Sequence, residues 1–138
     1  MIDAFAALRA LLRSEPTITD LTDRVYVGEI PQDEVSELPS KAIVLAPTGG
    51  MEGNKLLPLL NSRVVISSLG ETYKEASILD RAVFEVLRHV VRRTVHGVLI
   101  HSVSWSGGPF MVRDDLTGWP SLWRSVVIFA DARPTDGG

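Results

Sequence analysis

Three histidines and one pair of adjacent aspartates are the side chains of this sequence that best suit metal binding or acid–base chemistry. His89, His96 and His101 are separated by 7 and 5 positions, so no two of them have the i,i+4 spacing that puts two ligands on one helix face. Asp114 and Asp115 are consecutive in a turn-rich segment, with no second carboxylate cluster nearby in the sequence. The spacing therefore predicts no metal centre and no catalytic pair, and solvated or structural roles for these residues.

Glycine pairs at positions 49–50 and 107–108 invite comparison with phosphate-binding loops, but the residues around them do not fit. Neither pair is followed by the Lys-Ser/Thr of a P-loop, and neither opens a capped helix. Ser104 and Ser106 lack the Gly-x-Ser-x-Gly pattern of a nucleophile elbow. The chain has no cysteine, which excludes disulfides, zinc–thiolate sites and thiol catalysis. We therefore predict that the protein is not an enzyme and uses no cofactor.

The three tryptophans are candidates for contacts with a partner. Aromatic residues interleaved with basic ones can stack nucleobases. Here, however, Trp119 precedes Pro120, and Trp123 alternates with its neighbours at strand spacing, which favours a sheet face or a subunit interface. The formal net charge is −3 and no block of lysine and arginine stands out, so the sequence disfavours a nucleic-acid-binding module.

The length of 138 residues is typical of one domain, and we predict a single domain over residues 1–138. With 45% apolar residues, the chain can bury a core without disulfides or metal. The first residues lack the basic and apolar regions of a signal peptide, and no apolar run is long enough to span a membrane. We expect a soluble protein without membrane contact, with a flexible tail at residues 133–138.

The first half of the sequence predicts a helix followed by strands. Apolar residues recur on one helix face up to Pro16, and residues 17–21 can add one more helical turn. Strand formers at 25–27 predict a short strand. The continuous apolar run at 42–46 predicts a central strand buried on both faces, and residues 63–68 predict the next strand.

The second half predicts the longest helix and two more strands. Thr72 and Glu75 form a capping box, and apolar residues at helical spacing continue the predicted helix to about Arg93. Strands are predicted at 98–105 and 121–132, with a Gly-Gly-Pro break between them. The predicted fold class is α+β, with a mostly antiparallel sheet of about five strands and two main helices packed on one face.

The connection at residues 47–62 is longer than two antiparallel strands need, and it carries leucines among glycines. We predict an extended loop or hairpin arm that contacts another molecule, because leucines without room in the core favour an external partner. An ordinary flap over the core of the same domain is the alternative. The residues predicted to lie at an interface are Met51, Leu56, Leu57, Leu59, Arg113 and Trp119.

Taken in order, several segments of the chain match the pattern of a known protein family. They are Leu8 to Leu12 before Pro16, Arg24 to Tyr26 with Pro31, the apolar strand Ile43 to Leu45, Arg63 to Ile66, Ala76 and Leu79 in the long helix, and the Thr117-Gly118-Trp119 turn before the last strand. This order, over about residues 4–132, resembles the small tail-terminator, or tail-completion, proteins of long-tailed, siphovirus-like bacteriophages.

The resemblance implies a structural protein at the head-proximal end of the virion tail, assembled in the cytoplasm of the bacterial host. Such a protein forms a ring, typically of six copies, that stops growth of the tail tube and offers a surface for joining the head. Its implied partners are further copies of itself, the tail tube protein and the head-completion or neck protein. DNA would pass through the ring without specific binding, and the family implies no catalytic residue, metal or cofactor.

Two other functions remain open from the sequence. The nearest is a head-side neck or connector protein of the same virion, which would share the ring but bind the head. A small enzyme or ligand-binding domain is less favoured, because it would need His, Asp or Glu residues clustered in one pocket.

Overall fold

The computed structural model describes residues 4–22, 24–28, 41–52, 59–95, 97–113 and 118–131. Within these residues the chain forms three helices and six strands of an α+β fold, the predicted class. In chain order they are α1 (Ala4–Ser14), α2 (Pro16–Thr19), β1 (Val25–Val27), β2 (Ala42–Glu52), β3 (Leu59–Leu69), α3 (Tyr73–Leu87), β4 (Val91–Val95), β5 (Val98–Arg113) and β6 (Pro120–Asp131). The tail predicted at 133–138 lies outside the described residues.

The six strands form one sheet in the order β1-β2-β3-β6-β5-β4. The β1–β2 pair is parallel, and the other four pairs are antiparallel. The sheet is therefore mainly antiparallel, as predicted, but it contains one parallel pair at its edge. The prediction of about five strands missed β4.

The two main helices and one face of the sheet share the larger hydrophobic core. Leu8, Leu11 and Leu12 of α1 are fully buried, as are Leu79 and Leu87 of α3. They belong to the same cluster as strand residues at alternate positions, which are Ile43, Leu45, Val64, Ile66, Val126, Ile128 and Ala130. Alternate residues of a strand point to one face, so this face of the sheet is the one that the helices cover.

A second, smaller cluster lies on the opposite face of the sheet. It contains Val44, Leu69 and Trp119, with Tyr26 partly buried against them. Because Val44 points to the face opposite its two neighbours in β2, the apolar run that begins this strand is buried on both faces, as predicted.

Helix α1 contacts both outermost strands of the sheet, β1 and β4. Arg9 Nε donates a hydrogen bond to the Val25 carbonyl oxygen of β1 at 2.7 Å. At the other edge, Arg93 Nη1 of β4 lies 2.9 Å from Glu15 Oε1, just after the end of α1. One helix can reach both edges only if the sheet curves around it, so α1 fills the concave side.

Helix α3 begins where the sequence predicts but ends earlier. The Glu75 amide donates to Thr72 Oγ1 at 3.2 Å, and the Glu71 amide donates to Glu75 Oε2 at 3.0 Å, so the predicted cap forms. The helix stops at Leu87 rather than near Arg93. The following residues form β4, which is held by antiparallel pairing with the start of β5.

Strand β5 continues through the Gly-Gly-Pro segment that was predicted to break it. It runs for 16 residues, and its register against β6 shifts on either side of Gly107. Gly108 has a φ of +94°, and a Cβ added there would lie 2.5 Å from the Trp123 carbonyl oxygen. Glycine therefore lets the strand approach β6 closely and continue as an irregular ladder rather than turn away.

Candidate assembly surface

The described residues contain no cluster of three or more His, Asp or Glu side chains arranged to hold a metal ion. His89 is exposed and lies 3.9 Å from Glu85 Oε2, and His101 is half-buried in β5. His96, Asp114 and Asp115 lie outside the described residues. In that same part of the chain, no helix is long and apolar enough to cross a membrane.

The most buried ion pair of the described structure connects α3 to the sheet. Arg124 Nε of β6 donates to Asp80 Oδ1 at 2.8 Å, and the Asp80 side chain is 6% exposed. The guanidinium also lies over two aromatic rings, 4.7 Å from the centroid of Phe84 and 5.2 Å from that of Trp105. Asp80 is thus held by a structural partner, and its geometry is that of a helix anchor rather than of a catalytic acid.

Two adjacent hollows of about 340 and 350 Å³ lie between α2 and α3. The first is lined by charged residues, of which Glu15 pairs with Arg93 and Glu85 pairs with Arg88 at 3.5 Å. The second exposes Ile78 beside Arg81. Charged side chains that already pair with each other on an open surface do not form the convergent polar group of an active site.

The predicted arm at 47–62 is, in its described part, a continuation of β2 and β3. The antiparallel register between them extends from Ala42↔Leu69 to Glu52↔Leu60. Met51 lies opposite Asn61 in this hairpin, and Leu59 lies opposite Asp131 of β6. The structure therefore has β2 and β3 paired as part of the sheet, and Leu56 and Leu57 fall outside the described residues.

The two interface candidates near the last turn differ in accessibility. Arg113 is exposed at the end of β5, and its Nη1 donates to the Gly118 carbonyl oxygen at 2.9 Å. Trp119 is only 3% exposed, because its ring packs on Val44 and Leu69 and lies 5.9 Å from the Arg24 guanidinium. Arg113 is available to a partner, whereas Trp119 covers the outer face of its own sheet.

We expect Trp119→Ala to lower the free energy of unfolding by about 3 kcal/mol, because it empties the centre of the smaller cluster. Chemical denaturation of the purified variant measures this loss. Arg113→Ala is the control, since its exposed side chain should change stability by less than about 0.5 kcal/mol. If the Trp119→Ala variant keeps wild-type stability but no longer assembles with its partners, the Trp119 side chain lies at an interface.

The sequence interpretation missed several exposed apolar residues of the sheet. Phe110 and Met111, in the far half of β5, are 62% and 64% exposed, and Val27 of β1 is 43% exposed. Two consecutive apolar residues in a strand point to opposite faces, so one core cannot bury both. That signal is present in the sequence, but it appears only once the Gly-Gly-Pro segment is treated as part of a strand.

Comparison with known proteins gives a match among solved structures. No protein-family model matches the chain, and no curated protein matches it. Among solved structures, a chain described as "Virion of native gene transfer agent (GTA) particle" superposes with a TM-score of 0.71. The match covers 92% of this chain and 93% of that chain. The two chains share a fold.

The identity between the two sequences is 15%, so the match establishes the architecture and does not by itself transfer a function. The neighbour is a component of a virion.

Proposed function

We propose that this chain is a structural protein of a phage-like virion, and that it forms a ring that caps the head-proximal end of the tail tube. The observation that carries the virion role is the structural match, over 92% of this chain, to a chain of a gene transfer agent virion. The finer assignment to the end of the tail rests on the order of sequence segments, which resembles that of tail-terminator proteins.

A capping role requires binding surfaces and no chemistry. A tube grows because each added ring exposes the same face that the next ring binds, and it stops when a different subunit occupies that face. Such a subunit needs one surface that matches the tube and another that does not. The hairpin of β2 and β3 and the exposed apolar residues of β5 provide separate candidate surfaces for these contacts.

A head-side neck or connector protein is the second candidate, since the structural match supports a virion component in general. The exposed apolar residues are compatible with either position. An enzyme is not favoured by the described groups, because the buried carboxylate of Asp80 is paired, and so are Glu15, Glu85 and Arg93 in the first hollow.

Deletion of the gene in the phage or prophage that encodes it tests the proposal. We expect overlong tail tubes without heads in negative-stain electron microscopy, because nothing would stop tube growth. Wild-type protein supplied in trans should restore normal length. Leu56→Asp with Leu57→Asp should not restore it, whereas Ile78→Asp, which changes an exposed residue of α3, should.

Two other results of the gene deletion would contradict the capping role. Tails of normal length lying beside full heads would move the protein to the neck, and intact virions would contradict a structural role. Circular dichroism of the double leucine variant provides the folding control. If that variant is unfolded, the two leucines belong to the core and the arm does not bind the tube.

A further inference from the structure

The register of the sheet places its two open edges at the same level. Tyr26, Val44, Ser67, Trp123 and Phe110 are successive partners in one row across β1, β2, β3, β6 and β5. The next row runs in the same way from Val25 to Met111. At this end of the sheet, β1 is therefore one edge and the far half of β5 is the other.

Strand β4 does not cover that half of β5. Its pairing with β5 ends at Val91↔Ser102, which is roughly 20 Å along the strand from Phe110. Within the described residues, β5 beyond this point has β6 on one side and no strand on the other. The unpaired edge carries the exposed side chains of Phe110 and Met111.

The outer edges of the sheet differ in charge. β4 exposes Val91, which is 68% exposed, but it also exposes Arg92 and Arg93, and charged side chains on an edge strand discourage pairing with another chain. The far half of β5 carries no charged residue before Arg113, and β1 exposes Val27 in a run of three uncharged residues. The edges at β1 and at the far half of β5 are thus both apolar and uncharged, whereas the edge at β4 carries the charges that discourage pairing.

We propose that these two edges bind each other between neighbouring copies, with Phe110 and Met111 of one copy against the Val27 side of the next. The inference rests on the proposed function, which requires identical copies in a ring. Two different surfaces that match head to tail give a contact that repeats around a ring, which a self-matching surface does not. Arg9 already occupies the Val25 carbonyl oxygen, so side-chain contact rather than a full backbone ladder dominates the joint.

Disulfide trapping tests this contact directly, because the chain has no cysteine of its own. The variant Val27→Cys with Met111→Cys, oxidised as purified full-length protein and in assembled tails, should give a ladder of cross-linked species up to the ring size. Val91→Cys with Met111→Cys is the control and should stay monomeric on a non-reducing gel. Adding Phe110→Asp to the first variant should abolish the ladder.

Mixing single-cysteine chains separates a head-to-tail contact from a self-matching one. A mixture of the Val27→Cys and Met111→Cys chains should give cross-linked dimers and nothing larger on a non-reducing denaturing gel. Each variant oxidised alone should run as a monomer on the same gel. Dimers from Met111→Cys alone would replace the proposal with a symmetric β5–β5 contact, and no cross-linking in tails would overturn it. Overlong tails on gene deletion together with no cross-linking would leave the capping function standing and this contact refuted. A ladder of cross-linked species together with tails of normal length would support this contact and refute the capping function.

Discussion

Asp80→Ala is expected to lower the free energy of unfolding by about 4 kcal/mol. Removal of the carboxylate leaves the Arg124 guanidinium, whose side chain is 16% exposed, without the oxygen that lies 2.8 Å from its Nε. The neighbouring rings of Phe84 and Trp105 can attract the cation but cannot accept its hydrogen bonds in the plane of the guanidinium. Urea denaturation at neutral pH measures the change.

Two further variants determine whether the loss comes from an unpaired charge. Glu85→Ala lies on the same helix but breaks only exposed pairs with Arg88 and His89, so it should cost less than about 1 kcal/mol. Asp80→Leu with Arg124→Met removes both charges and should recover stability to within about 1 kcal/mol of wild type, since apolar residues can replace a buried pair. A double variant as unstable as Asp80→Ala would show that packing, not charge, accounts for the effect.

Local signals in the sequence were enough to predict the elements that carry the core. The apolar stripe of α1, the Thr72 cap of α3 and the apolar start of β2 each depend on residues close together in the chain. These signals act through helix periodicity, an unsatisfied amide and burial on two faces, and all three can be evaluated without knowledge of the fold. The α+β class followed from them.

The features that were not predicted depend on distant pairing. In β4 the burial pattern is exposed at four of its five positions, so no alternation of apolar residues marks it as a strand. Its arginines also suit the end of a helix, which is why the helix was extended to Arg93. Only pairing with β5 makes this segment a strand. The packing of Trp119 was missed for a similar reason, since its partners Val44 and Leu69 come from remote strands, and its place at an interface stays a prediction.

The contact proposed between β5 and β1 of neighbouring copies also depends on distant pairing, so the sequence alone did not predict it. Phe110 and Met111 are separated from β1 by most of the chain, and only the register of five strands shows that they lie level with Tyr26 and Val25 on the opposite edge, one and two residues from Val27. The irregular segment around Gly108 determines that register, because the strand must shift there before it pairs again at Phe110. The geometry of the proposed joint therefore depends on one glycine that the sequence alone marks as a break.

Gly108→Ala is accordingly expected to lower the free energy of unfolding by about 4 kcal/mol. The added Cβ would lie 2.5 Å from the Trp123 carbonyl oxygen and 3.1 Å from the Arg124 Cα, and both are backbone atoms that cannot rotate away. Part of the loss also comes from the positive φ of +94°, which side chains of L-residues rarely adopt. Thermal and urea denaturation of the purified variant measure the loss.

Gly28→Ala separates the two causes, because Gly28 has the same φ of +94° and no described atom within 4 Å of the added Cβ. Gly28→Ala should therefore show the backbone strain alone, about 1.5 kcal/mol. The larger loss at Gly108 would then measure the close approach of β5 to β6. A Gly108→Ala variant that folds with the stability of Gly28→Ala would mean that the two strands separate at little cost. In that case Phe110 and Met111 would not be held at the same level of the sheet as β1. The ladder of cross-linked copies should then be lost from this variant while its fold remains.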